Sequence, residues 1–344
     1  MPETPCPKPF IRTPKTTEIL NLFDKLRDKR NRFGVATCAL VTGESGSGKS
    51  ALAERYFEKH PPVQEDTRLH IPVLHIDISE VSTVKAVLTV AHELLISHGG
   101  SITESIYKDQ INSRSTAADI LNVFSKLAIA VGVELIIFDE VQTVHQGARD
   151  VDMVNGTARV FKDLIKKTEI PIVFMGMPWS KYLIDSNIQL TERITYRKEV
   201  DQFKIREEKD ENEYRMGLKL LGNEFGFPAH VDLADEEFAR RMFAYSKGNM
   251  RRTVNLIKDV WIEARTDDVQ VEIEDFGKLL YSQKNIPESE NPFLIPMEKL
   301  KISEILKPSD FLLGVKGKKD PVVLPEYIEY EIGDDNRLKA VACG

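Results

Sequence analysis

The chain has 344 residues, of which 42% are apolar and 29% charged, and its formal net charge is −7. That length holds two domains, or one large domain with appendages, and the composition is that of a soluble globular protein. Together they exclude a membrane-spanning run, a disulfide or zinc framework (Cys6, Cys38 and Cys343 are scattered and odd in number), and a protein that coats nucleic acid by bulk positive charge.

Residues 1–15 are proline-rich and read as an extended arm, and 16–32 as an amphipathic helix with Ile19, Leu20, Leu22, Phe23 and Leu26 on its apolar side. The first 34 residues carry eight Lys/Arg against four Asp/Glu, including Arg27, Lys29, Arg30 and Arg32. Such a surplus suits a solvated helix face or a phosphate-contacting arm. The amino terminus lacks the shape of a signal peptide, so a cytoplasmic location is expected. Strands are expected at 35–42, 71–77, 135–140 and 170–176, and helices at 83–97, 116–131 and 155–167, with a polar loop from Gly99 to Ser115. Alternating strands and helices imply an α/β core with a parallel sheet. From about 204 no strand is expected, and helices follow at 207–224, 234–245, 249–264 and 272–282. Past 284 the chain is broken by prolines and reads as a tail that docks on something rather than as a third core. The expected units are an arm (1–18), an α/β nucleotide-binding core (19–203), an all-helical lid (204–283) and a partner-docking tail (284–344). Trp179 and Trp261 are expected in the core.

Gly43-Glu44-Ser45-Gly46-Ser47-Gly48-Lys49-Ser50 fits the phosphate-loop pattern G-x-x-x-x-G-K-[ST]. It follows an apolar run and leads through Ala51 into a helix former, which is the strand–loop–helix context the motif needs. The glycines let successive N–H groups turn toward one anion, and the helix N-terminus adds its dipole. In this pattern Lys49 reaches the β- and γ-phosphates of ATP, and the Ser50 hydroxyl sits on Mg²⁺. Leu135-Ile136-Ile137-Phe138-Asp139-Glu140 reads as a buried parallel strand with two acids at its C-terminal end, the edge where open α/β sheets bind ligands. Asp139 is expected to hold the magnesium shell, partly through water, and Glu140 to polarise the attacking water.

A water-activating acid after Asp139 sets the chain apart from small-molecule kinases and small GTPases, and the Leu-Ser-Gly-Gly signature of transporter ATPases is absent. A core followed by a helical lid is similar to the AAA+ plan, in which a neighbouring subunit donates an arginine to the γ-phosphate. Arg193 sits where that arginine is expected, with Arg197 as the alternative. Lys247-Gly248-Asn249-Met250-Arg251-Arg252 resembles the start of an initiator-type lid helix, whose arginine senses nucleotide in its own subunit; Arg251 is favoured over Arg252.

The resemblance then narrows. The phosphate loop, the Ile-Pro-Val strand at 71–73, the run from Ile136 through Asp139 and Glu140 to Gln142, the strand ending Gly176-Met177-Pro178, and Gln189-Leu190-x-x-Arg193 look like the TniB/TnsC family of transposition ATPases over roughly residues 20–280. Leu306-Lys307-Pro308-Ser309-Asp310 also looks like the TnsC side of that family. The resemblance implies an ATPase that assembles in the ATP state as a ring or helical filament on double-stranded DNA. It also implies contacts to transposase subunits and to a target-selecting protein or complex. Loops carrying Lys108, Asn112, Ser113 and Arg114, and Gln146 and Arg149, are the candidate DNA-facing segments. The family usually places a small polar residue where this chain has Met177; a thioether orients water poorly, so slow, switch-like hydrolysis is expected. The other readings are an initiator-type AAA+ protein, which needs a winged-helix domain after the lid, and a signalling ATPase switch that ignores DNA.

Overall fold

Thr13 and Thr16 form a reciprocal capping box and Pro14 takes the first turn, so helix α1 runs Pro14–Phe33, beginning earlier than its apolar periodicity suggests. The computed structural model describes residues 7–65, 68–146, 151–228, 230–266, 271–312, 322–333 and 335–341. The core strands are β1 (Cys38–Thr42), β2 (Val73–Asp77), β3 (Leu135–Asp139), β4 (Ile172–Gly176) and β5 (Ile194–Glu199). The helices around them are α2 (Lys49–Lys59), α3 (Val84–Tyr107), α4 (Ala117–Ala130) and α5 (Val151–Thr168). The sheet is parallel, in the order β2-β3-β4-β1-β5.

Alternation along the strands covers both faces. Ala39, Val41, Ile137, Val173 and Met175 pack against α1 and α2. Leu40, Ile136, Phe138, Ile172 and Phe174 face the opposite way, against α3, α4 and α5. All of them are 2% exposed or less, which is why these strands read as continuous apolar runs.

Three expectations are corrected. The fifth strand, β5, lies where no strand was expected. Its sequence Ile-Thr-Tyr-Arg-Lys-Glu alternates buried or half-buried with exposed residues because it is an edge strand with one face toward solvent. The stretch read as a loop from Gly99 is helical to Tyr107, but Gly100, at φ 65° and ψ −162°, is not helical, so two helical segments meet there at a kink. The segment past 284, where no strand was expected, holds a sheet, though no core cluster of its own among the described residues. Strands β6 (Ile302–Lys307), β7 (Glu326–Ile332) and β8 (Leu338–Ala340) form an antiparallel sheet in the order β8-β7-β6.

That sheet packs on the lid, which consists of α6 (Glu208–Phe225), α7 (Glu236–Ser246), α8 (Met250–Thr266) and α9 (Ile273–Lys284). Leu300, Ile302 and Tyr330 join Tyr214, Phe243, Leu256 and Phe276 in one apolar cluster. Arg240, almost fully buried, pairs with Glu211 at 2.7 Å and donates to Asn336 O at 3.0 Å, tying α7 to both α6 and the C-terminal sheet. Arg241 donates to Pro292 O at 2.6 Å and Ile295 O at 2.8 Å. Both tryptophans are buried: Trp261 donates to Phe225 O at 2.8 Å, and Trp179 stacks on Phe311. No helix among the described residues is long and apolar enough to cross a membrane.

Candidate nucleotide site

Strand β1 ends at Thr42 and the chain turns through Gly43 to Gly48, the residue that caps α2 in the left-handed region at φ 98°. That conformation is open to glycine at no cost. Lys49 is buried at the first position of α2, and its ammonium donates to Gly43 O at 2.7 Å and Glu44 O at 2.9 Å. Burial pushes this ammonium below its ordinary pKa, while Glu140, Asp139 and Glu44 pull it up. A lysine held among carbonyls and carboxylates is poised to exchange those carbonyls for phosphate oxygens.

Asp139 ends β3, with 1% of its surface exposed. Its Oδ1 accepts the Glu140 N–H at 2.9 Å. Its Oδ2 is buried with no hydrogen-bond partner among the described residues, and the same holds for His75 Nε2, 3.9 Å away on β2. Burial raises the Asp139 carboxyl, but the His75 ring and the Ser50 hydroxyl outweigh it and hold the group below the usual carboxylate value. An orphaned carboxylate oxygen beside the Ser50 hydroxyl is the donor set a hard dication takes. These residues therefore fit Mg²⁺. Glu140 stands in the left-handed region at φ 60°, half-buried, with its carboxylate bonded to the Gln142 amide.

The lid closes over the loop. Asn249 donates to Ser45 O at 2.8 Å, the Arg251 N–H to Gly46 O at 3.1 Å, and the Arg251 guanidinium reaches Ser45 Oγ at 3.4 Å. The neighbouring Arg252 instead gives its N–H to the Asn249 side chain at 3.1 Å. Between lid and loop lies a cavity of about 310 Å³. Ser47, Gly48 and Ala51 form its floor, Phe203 and Met250 its lid side, and Phe10 and Ile11 of the arm its outer wall. An apolar pocket opening onto a phosphate loop suits a nucleobase and ribose. The arm read as extended thus lines this chain's own pocket.

Arg193 lies at the opposite edge of the sheet. Its carbonyl accepts the N–H of Cys38, the first residue of β1, at 3.0 Å. The phosphate loop begins at the other end of that strand, roughly 17 Å away for five residues. The side chain is partly exposed and has no salt-bridge partner among the described residues. Arg197 is committed elsewhere, to Asp185, with one bond at 3.3 Å. Arg193 therefore does not join its own site.

The residues read as DNA-facing are described only in part. Lys108 follows α3 and pairs with Glu104 at 2.5 Å. Arg114 is exposed in the loop before α4, where Lys85 holds Ser113 O at 2.9 Å. Arg149 lies outside the described residues, and so does the side chain of Gln146. Arg27, part of the amino-terminal basic surplus, is not a free arm residue: it pairs with Glu134 at 2.6 Å and donates to the Tyr56 hydroxyl at 3.2 Å.

The sequence matches the family model described as bacterial TniB protein over residues 7–204, more than half of the chain. The chain belongs to the TniB family. No functionally curated protein matches it. Among solved structures, the TniB-family chain is similar to the ORC2 protein of Aeropyrum pernix in its ADP form, at 14% identity and a TM-score of 0.57, covering 86% of this chain and 74% of that one. It is similar to Cdc6p of Pyrobaculum aerophilum, at 13% identity and a TM-score of 0.55, covering 87% and 74%. The ORC1 protein of A. pernix, solved in complex with DNA, gives 13%, 0.53, 78% and 65%. At such identities the likeness concerns the fold, an AAA+ α/β core followed by a helical region.

Several site residues escaped the sequence reading. Gln142 carried a signal, two positions past Glu140, and Asn249 lay inside a run already singled out. His75, Phe10 and Ile11 carried none, since only the folded sheet and arm bring them to the site.

Proposed function

We propose that this TniB-family chain is an ATP-dependent switch in DNA transposition. It binds ATP with Mg²⁺, assembles on double-stranded DNA as a ring or helical filament, and links a target-selecting factor to the transposase. Slow hydrolysis resets it, and its location is cytoplasmic. The backbone N–H groups of Gly43 to Ala51 and the Lys49 ammonium bind the phosphates, Ser50 and Asp139 hold the magnesium, and Glu140 takes the proton of the attacking water. Magnesium supplies charge neutralisation on the phosphate oxygens when bound.

The observation that carries the reading is the position of Arg193. The nucleotide site has its loop, both acids and its lid arginine, Arg251, in one chain, yet the arginine matched to the transition state stands at the opposite end of strand β1, without a salt-bridge partner among the described residues. A site completed only by a second copy makes assembly and ATP binding reciprocal by linkage. Many subunits each adding two or three cations can then hold a phosphate backbone despite the net charge of −7. The family membership and the DNA-bound ORC1 likeness point the same way.

Electron microscopy of the chain with a non-hydrolysable ATP analogue, with and without duplex DNA, tests it. Rings or filaments on DNA only with nucleotide are the expected result. Nucleotide-dependent oligomers that ignore DNA would move the reading to a signalling ATPase.

A further inference from the structure

We propose that Gln142 is a positioning residue for hydrolysis, holding the Glu140 carboxylate in register with the end of strand β4. The inference rests on the ATPase reading above and adds to it a residue that acts through the general base.

The Gln142 side chain is 5% exposed and makes two directional bonds. Its Oε1 accepts the backbone N–H of Met177 at 3.0 Å, and its Nε2 donates to Glu140 Oε2. The orientation of the amide is set by these partners: a carboxylate offers only acceptors and a backbone N–H only a donor. The amide therefore bridges the last residue before Pro178 to the acid that follows Asp139. Gly176 makes room for it. A β-carbon there would collide with both Gln142 Oε1 and Ser180 Oγ, closer than real contacts allow.

The backbone of Glu140 is held as firmly. Its N–H is bonded to Asp139 Oδ1 at 2.9 Å, and its carbonyl accepts the Thr143 N–H at 3.1 Å and hydroxyl at 2.9 Å. These bonds sustain a left-handed φ of 60° that a residue with a β-carbon adopts only when its surroundings require it. With backbone and Oε2 both fixed, Oε1 is left to receive a proton. Met177 has no polar side chain to offer at the end of β4, so the backbone N–H of that position acts instead, relayed by Gln142.

In the step this serves, the water oxygen bonds to the γ-phosphorus and the bond from phosphorus to the β–γ bridging oxygen breaks. The bond pair leaves with ADP, and the water proton passes to Glu140. Gln142 touches neither substrate nor water. Its part is to keep the acceptor oxygen aimed, which makes the effect fall on turnover and not on binding.

The test measures steady-state ATP turnover and nucleotide affinity for the full chain and for Gln142→Met, which keeps the shape and removes both hydrogen bonds. Turnover is expected to fall roughly 10- to 100-fold, within the range of a mispositioned general base, with affinity changed less than about threefold. Gln142→Asn, one methylene shorter, is expected to hold one partner and to give an intermediate rate. The discriminating measurement is the Glu140→Gln, Gln142→Met double variant, which should be no slower than Glu140→Gln alone, since the two residues act as one unit. A wild-type rate in Gln142→Met, or a further loss on top of Glu140→Gln, overturns the proposal while leaving the ATPase reading in place. A wild-type chain that binds ATP and never hydrolyses it overturns the hydrolytic reading, and the proposal with it.

Discussion

Ser309 donates both its backbone N–H, at 2.5 Å, and its hydroxyl, at 2.6 Å, to Oε1 of Glu44, a phosphate-loop residue 265 positions earlier in the chain. Both residues are buried. Around them Tyr182 donates to Asp310 at 2.9 Å and Trp179 stacks on Phe311, while Glu304 accepts the N–H groups of Ile205, at 2.9 Å, and Arg206, at 3.2 Å, in the segment joining core to lid. The C-terminal segment thus braces the nucleotide loop from outside and the core–lid junction from beneath.

Glu44→Ala leaves two buried Ser309 donors without an acceptor. A loss of about 2 kcal/mol is expected, the scale of hydrogen bonds to a charged group. Urea unfolding measures it. Amide exchange should rise over residues 302–311, and exchange unchanged there would show that the brace does not hold the segment.

Gly46 is at φ 77°, and a β-carbon on it would run into the Asn249 side chain of the lid. Gly46→Ala meets both a strained backbone and a displaced lid, so nucleotide affinity is expected to drop roughly tenfold or more, with the fold intact. Titration with a fluorescent ATP analogue measures the drop; an unchanged affinity would mean that the lid contact is dispensable.

The Arg27–Glu134 pair joins α1 to the turn before β3, with both side chains about 15% exposed. Burial raises the Glu134 carboxyl, but Arg27 outweighs it and sets the folded pKa below the ordinary 4.5. A depressed carboxylate contributes stability that is complete above its unfolded value and is lost as pH falls through its folded value. Glu134→Gln is therefore expected to cost about 2 kcal/mol at neutral pH, and the difference from wild type should be smaller at an acidic pH well below 4.5, as the folded value is approached. Urea denaturation at the two pH values measures this.

What the sequence disclosed, and what it hid, divides along physical lines. The phosphate loop and the strand to Asp139 were legible because glycine spacing and a fully buried apolar run are local signals. Helices α6 to α9 were legible within a few residues for the same reason, since their apolar faces recur at helical spacing. Strand β5 was hidden because an edge strand alternates Tyr196 with Arg197 and resembles a solvated segment. The C-terminal sheet was hidden because it buries only a few large residues, Ile302 and Tyr330 among them, between charges and prolines, and needs the lid to complete its core. Juxtapositions such as the bond of Ser309 to Glu44, or Phe10 and Ser47 on the lining of one pocket, join segments far apart in the chain and leave no local pattern.

On the proposed reading, Arg193 completes the nucleotide site of a neighbouring copy. The most direct measurement mixes two variants that are each inactive for a different reason. Glu140→Gln loses its own base but keeps Arg193; Arg193→Ala keeps an intact site of its own but has no arginine to lend. Each alone should turn over ATP roughly 100-fold more slowly than wild type. Mixed in equal amounts under assembly conditions, they should recover a substantial part of the wild-type rate, because an intact site then meets a borrowed arginine. A mixture no faster than its components, or an Arg193→Ala chain with full turnover by itself, would contradict the account.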